Sequence, residues 1–282
     1  QLTAVPSATY GFSQWEGDLT GRWDGIMRLE NGAWTRASTF SHGREFTLGA
    51  DQSGWAISPY GMPLKLIDGQ WYTLSDRAAS FNTVALSARD EGWAMGSNGD
   101  IWQLANGAWR RAYTPTDSAV KAVALDQAGS GWAVASRPSV LLRLQDGLWR
   151  VHPLPQDFPD DGYMYAIDLA GDEGWATGEY ASLHLKAGVW TVSNAISIDA
   201  RSISLASPTE GWAASDVSLQ QLKSGVWQSR RTVAHGMSAL ALSDATHGWG
   251  VGDMWVGRLS GETWTFDPLQ SGVTYALALS GL

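Results

Sequence analysis

One phrase, written seven times, constrains this chain more than anything else in it. Each copy runs leucine, one or two residues, glycine, one or two more, then tryptophan. The copies are Leu29–Trp34, Leu66–Trp71, Leu104–Trp109, Leu144–Trp149, Leu185–Trp190, Leu222–Trp227 and Leu259–Trp264. Successive tryptophans stand 37, 38, 40, 41, 37 and 37 residues apart. A period near 40 built from short alternating segments marks a propeller or a solenoid, in which each unit buries its faces only against its neighbours. A second phrase keeps the same phase. Gly54-Trp55, Gly92-Trp93, Gly131-Trp132, Gly174-Trp175, Gly211-Trp212 and Gly248-Trp249 each lie 15 to 17 residues ahead of the first phrase's tryptophan. Gly11-Phe12 stands 22 residues ahead of Trp34, so the first unit carries extra residues.

Residues 82–119 show what one unit contains. Thr83-Val84-Ala85-Leu86-Ser87 alternates as a half-buried strand does, Ala88 to Glu91 turns, and Gly92-Trp93-Ala94-Met95-Gly96 forms a second strand. Ser97-Asn98-Gly99-Asp100 reverses the chain into Ile101-Trp102-Gln103-Leu104, and Ala105-Asn106-Gly107 leads into a fourth strand over 108–113. Such a sheet cannot bury both faces alone, but radially arranged copies pack face to face and leave only short edges. The tryptophans suit the gap between blades, each indole N–H reaching a polar partner. The glycine of each Gly-Trp pair serves a tight turn or a close backbone approach.

The expected fold is therefore all-β: a seven-bladed β-propeller of four-stranded antiparallel blades in a single domain, 1–282, with repeats of about 37–43 residues. Leu2-Thr3-Ala4-Val5 aligns with the first strand of a unit, and residues 275–280 are a surplus copy of that strand. The simplest use of the surplus is to close the ring. The alternatives are the start of an eighth blade in a longer parent, or pairing with a second molecule.

Gly131-Trp132-Ala133-Val134, Gly248-Trp249-Gly250-Val251-Gly252 and Gly92-Trp93-Ala94-Met95-Gly96, each followed by a glycine-tryptophan hairpin, resemble the repeats of the photosystem II assembly factor family of bacterial and plastid propellers. They resemble sialidase-type Asp-box repeats more loosely, because no copy has the full order of serine, aspartate, glycine and tryptophan. The resemblance covers nearly the whole chain and implies a WD40-like or YVTN-like propeller. It spans assembly factors, extracellular sensor modules, cell-surface proteins and hydrolases, so the function it implies is a class only.

Composition narrows the classes further. The net charge of −9 repels phosphate backbones, and the basic clusters are no larger than Arg110-Arg111 and Arg230-Arg231, which argues against nucleic acid. Cysteine is absent, removing disulfides, thiol catalysis and thiolate metal sites together. Runs of 18 apolar residues are missing, so direct membrane insertion is not expected. Gln1 reads as a processed or trimmed start, or as the edge of a longer protein. Abundant tryptophan and glycine with little lysine fit an exported bacterial repeat protein, so the expected location is extracytoplasmic.

Two departures from the repeat are the candidate binding elements, because a rigid scaffold presents its inserted loops. The first is residues 15–25, where Trp15 and Trp23 would stack on a sugar or clamp a peptide while Arg22 and Asp24 supply polar contacts. The second is residues 153–165, with Phe158 and Tyr163 as binding residues and Asp157, Asp160 and Asp161 as weak calcium ligands that lack a regular calcium-loop spacing. The recurring acids Glu91, Glu173 and Glu210 read as solvated turn residues, although glycosidase chemistry would need two convergent carboxylates. His42, His152, His184, His235 and His247 show no metal-binding spacing. His184 occupies a site filled by Arg28, Lys65, Gln103, Arg143, Gln221 and Arg258 in other units and reads as exposed. The expected function is a non-enzymatic binding or scaffold propeller engaging a protein or glycan, without cofactor. A sialidase-like hydrolase and a structural subunit of a cell-surface assembly are the alternatives; separately, the surplus C-terminal strand offers a route to self-association.

Overall fold

A computed structural model describes residues 2–5, 14–17, 27–30, 33–36, 45–48, 54–58, 60–68, 70–73, 80–88, 91–126, 129–159, 162–196, 199–232 and 237–273. Every described element is a β-strand or a turn. Blade 1 comprises Glu45–Leu48, Gly54–Ile57, Pro63–Ile67 and Gln70–Thr73, and blade 2 comprises Phe81–Ala88, Glu91–Gly96, Ile101–Ala105 and Ala108–Arg111. Blade 3 comprises Ala119–Leu125, Gly131–Ser136, Val140–Gln145 and Leu148–His152. Blade 4 comprises Met164–Ala170, Glu173–Gly178, Ser182–Lys186 and Val189–Ser193, and blade 5 comprises Ser202–Ser207, Glu210–Ala214, Ser218–Lys223 and Val226–Thr232. Each of these is an antiparallel meander, its strands called a to d in chain order. Blade 6 has three strands, Ala239–Asp244, His247–Ser260 and Thr263–Val273, because its second and third segments run on as one strand of 14 residues. Successive a strands pack on one another from blade 1 to blade 6, which puts strand a nearest the ring axis.

The blade count corrects the sequence expectation. Six blades follow one another as a propeller, not seven or eight. The first repeat forms a different sheet from Leu2–Val5, Gln14–Gly17, Met27–Glu30 and Ala33–Arg36, in the spatial order second, first, fourth, third. In the five complete meanders a short turn lets strands b and c pair. Here nine residues, 18–26, separate the second strand from the third, and the fourth pairs with the first instead through Thr3 and Ala33. The inserted residues that the repeat spacing revealed are thus what takes the first unit out of the blade pattern. The surplus strand at 275–280 lies outside the described residues.

Tryptophan pairs hold the blades together. The strand-b tryptophan of one blade meets the strand-d tryptophan of the next edge to face. Trp55 meets Trp109 at 5.1 Å, Trp93 meets Trp149 at 5.8 Å, and Trp132 meets Trp190 at 5.5 Å. Trp175 meets Trp227 and Trp212 meets Trp264, both at 5.6 Å. Interplanar angles of 86–88° place the positive edge of one ring on the negative face of the other. Contrary to the expectation of polar partners, eight buried indole N–H groups, Trp55 and Trp212 among them, find no hydrogen-bond acceptor among the described residues. Their surroundings are the neighbouring ring and apolar core.

In three blades a second group closes the strand-b tryptophan from within its own sheet. The cross-strand partner of Trp55 is Lys65, that of Trp132 is Arg143, and that of Trp175 is His184. Lys65 lies 5.4 Å and Arg143 5.2 Å over the ring, and the His184 ring stacks at 4.1 Å. The polar position that reads as exposed in the sequence is therefore a cover for an aromatic face. In blade 5 the cross-strand partner of Trp212 is Gln221, buried and held by the Arg230 guanidinium at 2.8 Å. The glycine before each of these tryptophans permits close approach rather than a turn. A Cβ at Gly92, Gly131, Gly174, Gly211 or Gly248 would lie 2.3–2.9 Å from a backbone oxygen of strand a. Left-handed backbone is needed elsewhere, in the two-residue c–d turns such as Asn106-Gly107 with φ of 51° and 73°.

Candidate functional site

Meander topology sorts the connections. The a–b and c–d turns fall at one end of every blade, while the b–c turns and the d–a links between blades fall at the other. The first end is closed by local pairing. Glu173 is held below the usual carboxylate range by a hydrogen bond from Lys186, which outweighs a small cost of burial, and His184 adds to the effect. Glu210 accepts the Ser224 amide at 3.1 Å, and Lys223 pairs with Glu262 of the next blade. Glu91, Glu173 and Glu210 open strand b on three different blades and do not converge on a common point.

The second end carries the longer links and is braced from blade to blade. Ser136, at the end of blade 3 strand b, donates to the Met164 carbonyl at 2.8 Å and accepts the Met164 amide at 2.9 Å. Thr177 in blade 4 donates to the Ala200 carbonyl at 2.7 Å, and the Met237 amide donates to the Ser215 carbonyl at 3.2 Å. Asn82 bridges blades 2 and 3 by donating to the Val120 carbonyl at 2.9 Å while accepting from Ser97. A serine, threonine or asparagine is thus placed where one blade hands over to the next, satisfying backbone groups that the strand ladders leave open.

The link 153–163 is built on this frame. Phe158 is buried, packed in the core shared by blades 3 and 4 with Trp132, Leu183 and Trp190. Its side chain is an anchor and not an exposed contact. Turns closed by the Phe158 amide on the Pro155 carbonyl and the Gly162 amide on the Pro159 carbonyl fold the link over that anchor, and Ser139 donates to the Gly162 carbonyl. Tyr163 emerges half-buried beneath the Arg137 guanidinium, 5.2 Å from its ring. Two residues on, Tyr165 is the bulged residue of strand a and lies under Arg201 at 5.2 Å. Arg201 is itself paired with Asp216 of blade 5 at 3.3 Å. The Tyr165 hydroxyl is pushed above its ordinary range by burial first and by Glu179 next, with Arg201 opposing and Asp199 adding to the rise.

Other exposed aromatics share this end. Tyr60 is 84% exposed in a b–c turn, Tyr113 is 71% exposed in the link after blade 2, and Tyr180 is 59% exposed beside Glu179. The exposed aliphatics Leu148, Val189 and Val226 belong to the opposite end, just after the c–d turns.

Of the expected binding residues whose side chains are described, Tyr163 stands in this cluster and Phe158 does not. Trp15 sits in the strand Gln14–Gly17 opposite Ala4, and its side chain is outside the described set. Arg22, Trp23 and Asp24 lie outside the described residues, as do Asp160 and Asp161, while Asp157 is exposed in the turn before Phe158. Sequence reasoning placed Tyr165 at the end of the 153–165 element without giving it a role, and passed over Arg137, Glu179, Tyr180, Asp199 and Arg201. The signal for them lay in the b–c turns, where Arg137-Pro138 and Glu179-Tyr180 stand in place of Ser97-Asn98-Gly99.

Gly178 sets the depth of this surface. A Cβ there would fall 2.4 Å from the Tyr163 carbonyl, which accepts the Glu179 amide at 2.8 Å. Gly178→Ala is expected to push Tyr163 and Tyr165 out of place and to cost about 1–3 kcal/mol. Chemical denaturation measures the cost, and tyrosine ring resonances report the displacement. Unchanged resonances would show that the close approach does not position the cluster.

No protein-family model matches the sequence, and no curated protein does. Solved structures do match. Virginiamycin B lyase from Staphylococcus aureus superposes with a TM-score of 0.70 at 17% identity, over 82% of this chain and 85% of that one. YCF48 from Cyanidioschyzon merolae gives 0.62 at 17% identity, over 82% and 86%. YCF48 bound to D1 peptide gives 0.52 at 18% identity, over 66% of each chain. The fold is a β-propeller. The likeness to photosystem II assembly factors drawn from the Gly-Trp phrases holds at the level of fold.

Proposed function

We propose that this chain is a non-enzymatic binding propeller that engages an extended segment of another protein through the end bearing the b–c turns and the interblade links. The observation that carries this reading is the concentration of aromatic surface there. Tyr60, Tyr113 and Tyr180 stand exposed, and Tyr163 and Tyr165 are each stacked under a guanidinium on a braced frame. Tyrosine and arginine are the residues enriched at protein interfaces, where a rigid amphipathic ring gives contact area at little entropic cost. The YCF48 structure with D1 peptide shows that a propeller of similar fold holds a peptide. A cysteine-free, lysine-poor chain of this kind suits a location outside the cytoplasm, to be checked by fractionating cells that make the full-length protein.

The test is to pan displayed random peptides against the chain and map bound clones by amide hydrogen exchange. Protection at 137–139, 162–165 and 179–181 is the expected result. Enrichment no greater than on an unrelated propeller, or protection confined to the c–d turns, would remove the basis for the reading. A glycan ligand would appear instead as binding on a glycan array that the Tyr163→Ala and Tyr180→Ala changes abolish.

A further inference from the structure

The same end carries an imbalance of charge that says what kind of segment it takes, an inference resting on the binding function proposed above. Among the described residues of its turns and links, Asp100 is paired with Arg111 and Asp216 with Arg201. Asp117, Asp157, Glu179 and Asp199 have no ion-pair partner there, against the single unpaired cation Arg137. The excess gathers around Tyr165: the Glu179 amide holds the Tyr163 carbonyl two residues before it, and Asp199 stands in the next link two residues before Arg201, whose guanidinium covers the ring. Aromatic faces beside carboxylates attract cations by two routes at once, through the ring quadrupole and through direct charge. Arg201 already occupies the Tyr165 face and shows that the ring accepts a guanidinium from this direction. The net charge of −9 adds a long-range field of the same sign.

We propose that the partner segment is basic, and that one of its arginine or lysine side chains is taken at Tyr165 by Glu179 and Asp199 in competition with Arg201.

The competition gives the test two signs. Three fluorescein-labelled peptides of about twelve residues, rich in arginine, in glutamate, or uncharged with the same spacers, are titrated against the chain by fluorescence polarisation. The arginine-rich peptide should bind most tightly and weaken steeply with added salt. The Glu179→Gln/Asp199→Asn double change should weaken it on the order of ten-fold, since each exposed ion pair contributes modestly. Arg201→Ala, which frees the ring and removes a like charge, should tighten it about three-fold. Asp172→Asn, in the a–b turn at the opposite end, should leave it unchanged. Preference for the glutamate-rich or uncharged peptide at this end, or weakening by Arg201→Ala, overturns the basic-segment assignment and leaves the peptide-binding function standing. Failure of all three peptides, together with failure of the random display, overturns the binding function itself. A double variant that fails to fold is replaced by Asp199→Asn alone, whose side chain is exposed.

Discussion

Trp212→Ala is expected to cost about 3–5 kcal/mol, the range for emptying a large aromatic site in a close-packed core. For a chain of this size the melting temperature should fall on the order of 10 °C. Trp212 is 1% exposed, packed perpendicular to Trp264 at the boundary of blades 5 and 6, with Leu240, Leu242 and Leu259 in the same core cluster. Removing it takes away the transfer free energy of the indole and leaves Trp264 without its perpendicular partner. Neighbouring strands cannot close the gap, because the backbone on that side is fixed by ladder hydrogen bonds from Gly211 to Ala214. Trp212→Phe should recover more than half of the loss, since a phenyl ring still packs perpendicular to Trp264. Trp102→Ala is the comparison: only half-buried, it should cost distinctly less. Thermal and urea unfolding of the three variants decide the matter. Equal losses at Trp102 and Trp212 would mean that the interblade pair is not the element that holds adjacent sheets.

The second large effect concerns Asp168, whose carboxylate is drawn in between two blades. It sits in strand a of blade 4. Its carboxylate accepts the Leu169 amide at 2.9 Å and, across the blade boundary, the Leu205 amide at 2.7 Å. Burial pushes its carboxyl up to about 6, and the two amide hydrogen bonds only partly oppose this. With the folded-state value above that of the unfolded chain, the folded state binds the extra proton between about pH 4 and pH 6. The contribution of this group to stability is therefore greatest below pH 4 and is lost as pH rises through 6. A rise of that size is worth at most about 3 kcal/mol. The side chain as a whole keeps some contact with solvent, which lowers the figure.

Blade 5 solves the same problem with Ser204, whose hydroxyl accepts the Leu242 amide of blade 6 at 3.2 Å. Asp168→Ser should therefore keep the interblade contact and flatten the fall in stability between pH 4 and pH 7. Denaturant midpoints of both proteins across that range provide the check. Parallel curves would show that Asp168 titrates as it does in the unfolded chain.

Repeat spacing made much of this structure legible. The strands expected over 83–87, 92–96, 101–104 and 108–113 appear as Phe81–Ala88, Glu91–Gly96, Ile101–Ala105 and Ala108–Arg111. Period-two alternation and the glycine-bearing turns carry that information locally. What spacing does not carry is the identity of the neighbour. The cover that Lys65, Arg143 and His184 give to a tryptophan face depends on cross-strand register, and the sequence shows only that the position is polar. The blade count failed for a related reason, since seven copies of a phrase do not guarantee seven meanders. Strand pairing in the first copy is decided by the length between its second and third strands, and nine residues there defeat the short reversal that the other copies use. Tyr165 lay inside the 153–165 element without an assigned role, because its surroundings come from Glu179, Asp199 and Arg201, which lie 14, 34 and 36 residues further along.

The tryptophan pairs also bear on how such a chain can change in length. Each of the five described boundaries is written half in one repeat and half in the next: a strand-b ring from the earlier unit, a strand-d ring from the later. A duplication or loss of one whole period therefore rejoins a strand-b ring to a strand-d ring, whatever unit it begins in. A cut of any other length breaks that pairing and leaves an indole without its partner. Lineages carrying this sequence should accordingly gain and lose material in steps of one repeat, with the breakpoints free to fall anywhere inside it.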